Sequence, residues 1–163
     1  MCHYMQTVMQ IKEDQMNDFR NNNRNPGNYR NNDNRQNDRQ GFDKPLKNFF
    51  TEKGLLKLDW ISDTIKELAF YLGNNCNFTT SQLRNFYHEY LRIKSTPASS
   101  EEKKIMVKML KAKVNYKVAK VPKEFIDFTS NLVDEINTDE LFSVRFENAC
   151  ILMEALVAYN PKR

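Results

Sequence analysis

The chain is poor in the residues that small catalytic and metal sites are built from. It has four glycines, two histidines, three cysteines and one tryptophan among 163 residues. With so few glycines there is no Gly-rich phosphate loop, because a backbone cradle of that kind has nothing to be made from. Cys2, Cys76 and Cys150 are odd in number and form no Cys-x-x-Cys pair, which argues against a disulfide frame or a zinc site and fits reduced thiols in the cytoplasm. Nowhere is there an apolar run long enough to span a bilayer, nor a basic stretch followed by an apolar one at the start, so a soluble, cytoplasmic protein with no membrane role is expected. His3 lies near the first residue, and His88 has no Cys or carboxylate pattern around it. Glu89 is its neighbour in sequence, and adjacent helix positions point apart. No catalytic set, cofactor or small-molecule ligand is therefore expected, and His88 reads as a surface or rim residue.

Residues 20–41 are mostly Asn, Arg, Gln and Asp, with Pro26, Gly27 and Gly41. Such a tract buries too little apolar surface to offset its conformational entropy. Residues 1–43 are thus expected to be a disordered tail, and residues 44–163 one domain. Met16 is a second candidate start. Arg20, Arg24, Arg30, Arg35 and Arg39 are largely balanced by nearby acids, so the tail reads as solvated and nonspecific.

Beyond the tail, apolar residues recur at helical spacing. Asp59 is placed to cap a helix over 60–72 with Ile61, Ile65, Leu68, Ala69 and Leu72 on its apolar face, and Gly73 reads as its stop. A shorter helix over 46–53, ended by Gly54, is expected before it. Thr79 and Gln82 form a capping box for a helix over 80–94, and Ser99 with Glu102 repeats the box for the next. Pro122 is expected to end that second helix. A helix over 123–136 and an almost wholly apolar one over 140–159, at the centre of the bundle, complete an all-α architecture of about five helices. Phe86, Tyr87, Phe125, Phe128, Phe142 and Phe146 fall on core periodicity, and Cys150 reads as a small buried hydrophobe.

The net charge is only +4, but its distribution is uneven. Lys103, Lys104, Lys108, Lys111, Lys113, Lys117, Lys120 and Lys123 follow one another with no acid between them. One helical projection sets Lys104, Lys108, Lys111 and Asn115 on one side and Lys113, Lys117 and Lys120 nearly opposite. The helix is therefore expected to bend near Ala112 or to project from the bundle, and 114–118 alternates enough to hint at a strand. Arg84, His88 and Arg92 add a second basic flank at four-residue steps. A solvated face and a phosphate-binding edge both fit this pattern. Tyr116, among the lysines, is placed either to anchor the helix or to lie against a nucleotide.

The run Phe78-Thr79-Thr80-Ser81-Gln82-Leu83-Arg84-Asn85-Phe86-Tyr87 resembles the helix-opening Thr-Ser-Gln-aliphatic-Arg stretch of the Csm small subunit, the small helical subunit of type III-A CRISPR effector complexes. Two later segments agree in order and spacing. Lys111-Ala112-Lys113-Val114-Asn115-Tyr116-Lys117 looks like the family's Lys-x-Lys-aliphatic-x-Tyr stretch, and 146–159 looks like its closing helix. The resemblance implies a noncatalytic RNA-binding subunit that stacks in copies as an inner filament and contacts the phosphates of the guide RNA and target RNA duplex. It implies as partners the backbone subunits, which cut target RNA, and the large subunit, which carries DNA cleavage and cyclic oligoadenylate synthesis. Gln82, Arg84, Lys111, Lys113, Tyr116 and Lys117 stand on the matching motifs, and Arg92 and Lys120 join them on charge alone. The alternative from composition is a helical adaptor whose basic face docks an acidic protein and never meets nucleic acid.

Overall fold

A computed structural model describes residues 41–116, 120–138 and 140–162. They form five α-helices, α1 (Ile65–Asn74), α2 (Thr80–Ser95), α3 (Ser100–Tyr116), α4 (Lys123–Ile136) and α5 (Phe142–Tyr159). Among the described residues there is no strand, only an isolated bridge between Phe50 and Leu56. The all-α expectation holds. The expected disordered tail falls on residues outside those described, except that Phe42 lies against Tyr71 with ring centroids 5.8 Å apart.

The two capping boxes form as their sequences dictate. The Thr79 hydroxyl accepts from Gln82 N at 3.2 Å while Gln82 Oε1 accepts from Thr79 N at 2.8 Å. At α3, Glu102 Oε2 accepts from Ser99 N and the Ser99 hydroxyl accepts from Glu102 N, at 2.8 and 3.3 Å. Each box satisfies two orphan donors and fixes where its helix begins.

The helical periodicity delivers the core. Ile65, Leu68, Ala69 and Leu72 of α1, and Phe125, Phe128, Thr129, Leu132, Val133 and Ile136 of α4, are buried. Phe142, Phe146, Ala149, Leu152, Met153 and Leu156 of α5 are buried as well, and α5 touches each of the other four helices. It is the central element expected from its composition. No helix among the described residues is long and apolar enough to cross a membrane.

Several local expectations fail. Residues 46–53 are not helical: Thr51 N bonds to Leu55 O and Lys57 N to Phe49 O, at 2.8 and 3.0 Å, around a turn in which Gly54 has φ of 78°. The backbone there is held from outside, because the Glu135 carboxylate of α4 accepts from the amides of Asn48 and Phe49. Asp59 caps nothing: its own backbone is already helical and its side chain makes no cap bond. The chain instead enters helix through a π-helical stretch, Trp60–Thr64, whose first amides bond to the Lys57 carbonyl. Gly73 does not stop α1, which runs on to Asn74. It is buried under Pro161, whose Cδ would lie 2.9 Å from a Cβ at this position. Leu91 of α2 is 36% exposed.

α3 is one unbroken helix through Ala112 as far as Tyr116. Pro122 precedes α4, and its carbonyl accepts from Phe125 N and Ile126 N. The hinted strand over 114–118 does not form where it is described, because Val114, Asn115 and Tyr116 are the last turn of α3; residues 117–119, with Lys117, lie outside the described residues.

Candidate nucleic-acid interface

α2 and α3 lie side by side, α2 started by its capping box and α3 by the Ser99 box. Because α3 turns Val107, Leu110 and Val114 inward, its lysines are distributed around the rest of the cylinder. Lys113 reaches α2, where its Nζ bonds to Glu89 Oε2 at 2.5 Å. Lys111 reaches the other way, to Asp134 of α4 at 2.7 and 2.9 Å. The helical projection that separates these two lysines is the geometry observed. Lys104 pairs with Glu101 and lies 5.9 Å from the Phe142 ring centroid.

A groove opens between α2 and α3. One section, about 690 Å³, is bordered by Asn85, Phe86, His88, Glu89, Met109, Lys113 and Tyr116. The adjoining section, about 450 Å³, shares Asn85, Phe86 and Tyr116 and adds Phe78, Gln82 and Lys120. Tyr116 is 90% exposed at the lip common to both. Glu89 also accepts from Arg92 Nε and Nη2 at 3.2 and 3.0 Å, so one carboxylate lies between two cations. Lys113, with Arg92 beside it, holds the Glu89 carboxyl below the usual carboxylate range. The cluster keeps one net positive charge at the groove edge.

Of the residues singled out from sequence, Gln82, Lys113, Tyr116 and Lys120 line this groove, and Arg92 adjoins it through Glu89. Gln82 spends its side-chain oxygen on the cap. Arg84, two residues on, faces a different cleft with Ser81, Tyr87, Glu154 and Ala158. Lys111 stands on the α4 side. The groove also contains Asn85 and His88, which sequence reasoning had not assigned to it; their polarity is visible in sequence, but their place opposite α3 is not. The acids that partner Lys111 and Lys113 come from other helices, which the acid-free run could not reveal.

Cys150 is buried, and burial pushes its thiol up to about 11. No group of three or more His, Cys, Asp or Glu residues able to hold a metal ion occurs among the described residues.

The fold and groove define a small all-α protein that presents a cationic, aromatic-lipped groove between two capped helices. Its residues 56–161 match the family model described as Csm2 Type III-A. The chain belongs to that family, the small subunits of type III-A CRISPR complexes. No curated protein and no solved structure matches it.

Proposed function

We propose that this Csm small subunit is a noncatalytic cytoplasmic protein that binds RNA within its complex, its copies lying beside one another along the duplex of guide RNA and target RNA. The observation that carries the reading is the convergence on one groove of Gln82 with Lys113 and Tyr116, from two motifs far apart in sequence, joined there by Lys120. Lysine is a mobile point charge. Contacts to phosphate and to duplex shape, independent of sequence, follow. Arg84 and Lys111 belong to the same proposal as phosphate contacts outside the groove, and Lys117, which is not among the described residues, belongs to it from its motif alone. The other partners are the remaining subunits of the complex.

The test is a native pull-down of the tagged chain at moderate salt, with mass spectrometry of the proteins and sequencing of the RNA. A multi-subunit complex carrying short RNAs with one shared 5′ end is the expected result. Recovery of a single acidic protein without RNA would replace this reading with that of an adaptor.

A further inference from the structure

The groove between α2 and α3 has a floor for which phosphate has no use. Phe86, Met109, Leu110 and Ala112 line its larger section, and Phe78 and Val121 join Phe86 in the adjoining one. The Phe86 ring is packed on the core, with centroid distances of 5.0 Å to Phe125 and 6.3 Å to Phe78, so it is a fixed apolar surface. Met109 is 52% exposed beside it. Contacts to phosphate use the cations at the rim and leave this floor uncovered. An apolar lining with a few polar groups, set between helices of a bundle, is the composition of a ligand site.

Tyr116 closes α3 but does not anchor it. Its side chain is 90% exposed and makes no hydrogen bond or ring contact among the described residues. Lys113 stands one turn before it on the same side of α3, about 4.5 Å along the axis. Lys120 stands in the adjoining section. Each section of the groove thus has one of these lysines, and the ring is at the lip they share. Across from α3, Asn85 borders both sections, and its amide, a donor and an acceptor together, has no hydrogen-bond partner among the described residues.

A ligand that covers these features has a flat apolar body, polar atoms at its edge and an anion on either side. One nucleotide of an RNA strand has all three, in its base and its two flanking phosphates. Within a continuous duplex the base faces are covered by their neighbours, so only a nucleotide outside the stack can present its face to an aromatic ring. We propose that the groove takes one unstacked RNA base, with its face against the Tyr116 ring and its flanking phosphates at Lys113 and Lys120. The proposal rests on the RNA reading above and deepens it. Stacking on an aromatic ring is tolerant of sequence, because every base has a π-face, so it agrees with contacts that read no particular sequence. An apolar protein segment would cover the same floor but would make no use of a cation in each section.

The experiment is fluorescence anisotropy on the purified full chain with two labelled RNA duplexes. One carries a single unpaired adenosine and the other an abasic residue at the same position, so the two present the same phosphates and differ by the base alone. Wild type should bind the adenosine duplex about 5- to 150-fold more tightly. Tyr116→Leu should bind both RNAs alike, whereas Tyr116→Trp should keep the preference, since the ring and not the hydroxyl carries it. Lys113→Ala should weaken binding of both by a similar factor. A wild type that binds the two RNAs equally, or a Tyr116→Leu protein that keeps the preference, overturns the base site and leaves the apolar floor to a protein segment. The RNA reading then still stands if Lys113→Ala weakens binding. A wild type that binds neither RNA defeats the RNA reading, and the base site with it.

Discussion

Glu89 of α2 and Lys113 of α3, 24 residues apart, are joined through one carboxylate oxygen that also receives both Arg92 contacts. The contact ties the two walls of the groove together, and it also sets how much of the Lys113 charge remains for an anion. A residue that the sequence presents as a ligand for phosphate is thus also a structural clasp. The two roles can be pulled apart by experiment.

The clasp predicts a pH dependence. The Glu89 carboxyl is held low, first by Lys113 and then by Arg92. A depressed folded-state value means that the stabilisation is present above the unfolded value, about 4.3 for Glu, and is lost as pH falls through the lower folded one. Both partners are partly exposed, with side chains 31% and 42% accessible, so the effect belongs with surface pairs at about 0.2–1 kcal/mol. Glu89→Gln should be less stable than wild type by that amount at pH 7, and the difference should be smaller at an acid pH below the unfolded value of about 4.3. Urea midpoints at the two pH values measure it. A gap that widens in acid would show that the pair does not stabilise the fold.

For RNA the two partners should act in opposite directions. Lys113→Ala removes a cation from the groove edge and should weaken binding to an RNA duplex while lowering the log-log salt slope by about one. Glu89→Gln releases Lys113 and Arg92 from their shared anion and should tighten binding, with a steeper slope. Fluorescence anisotropy between low and moderate salt reads both. Equal slopes in all three proteins would take Lys113 out of the site.

What can be read from this sequence is what is local. The Thr79–Gln82 and Ser99–Glu102 boxes close within four residues, and the apolar faces of α4 and α5 repeat within single helices. What cannot be read is fixed by partners far along the chain. Residues 46–53 carry a helix-like pattern, but Glu135, 86 positions beyond Phe49, takes up the backbone amides at that turn. The lysine run is plain in sequence, yet its neutralisation by Asp134 and Glu89 depends on which helices pack beside α3.

Gly73 is a sharper case, because glycine late in a helix reads as a terminator. Here it makes room for Pro161, whose Cδ and Cγ would stand 2.9 and 3.0 Å from an added Cβ. The strap behind that proline is well bonded: Asn160 Nδ2 donates to Phe78 O at 3.0 Å, and Thr80 N donates to Lys162 O at 2.6 Å. Gly73→Ala should therefore cost about 1–3 kcal/mol by overpacking. Pro161→Ala removes the ring carbon that would be struck, so Gly73→Ala with Pro161→Ala should be less destabilised than the sum of the two single changes. A double-mutant cycle from chemical denaturation checks this. Additive effects would mean that the loss at position 73 has another origin.

The hydroxyl of Tyr90 makes the opposite prediction, a truncation that helps. Tyr90 is 1% exposed, with its ring nearly parallel to that of Phe146 at a centroid distance of 6.3 Å. Its Oη has no hydrogen-bond partner among the described residues, and burial pushes its ionisation well above the ordinary tyrosine value. A buried hydroxyl with no partner bears its desolvation cost without return. Tyr90→Phe keeps the ring and its packing and removes that cost, so it should raise stability by about 1 kcal/mol. Tyr90→Ala, which removes the ring as well, should lose about 3–5 kcal/mol through the cavity it leaves. Denaturation of both variants separates the contribution of the ring from that of the oxygen. A Tyr90→Phe protein less stable than wild type would mean that the hydroxyl is bonded in solution and that this part of the core is polar.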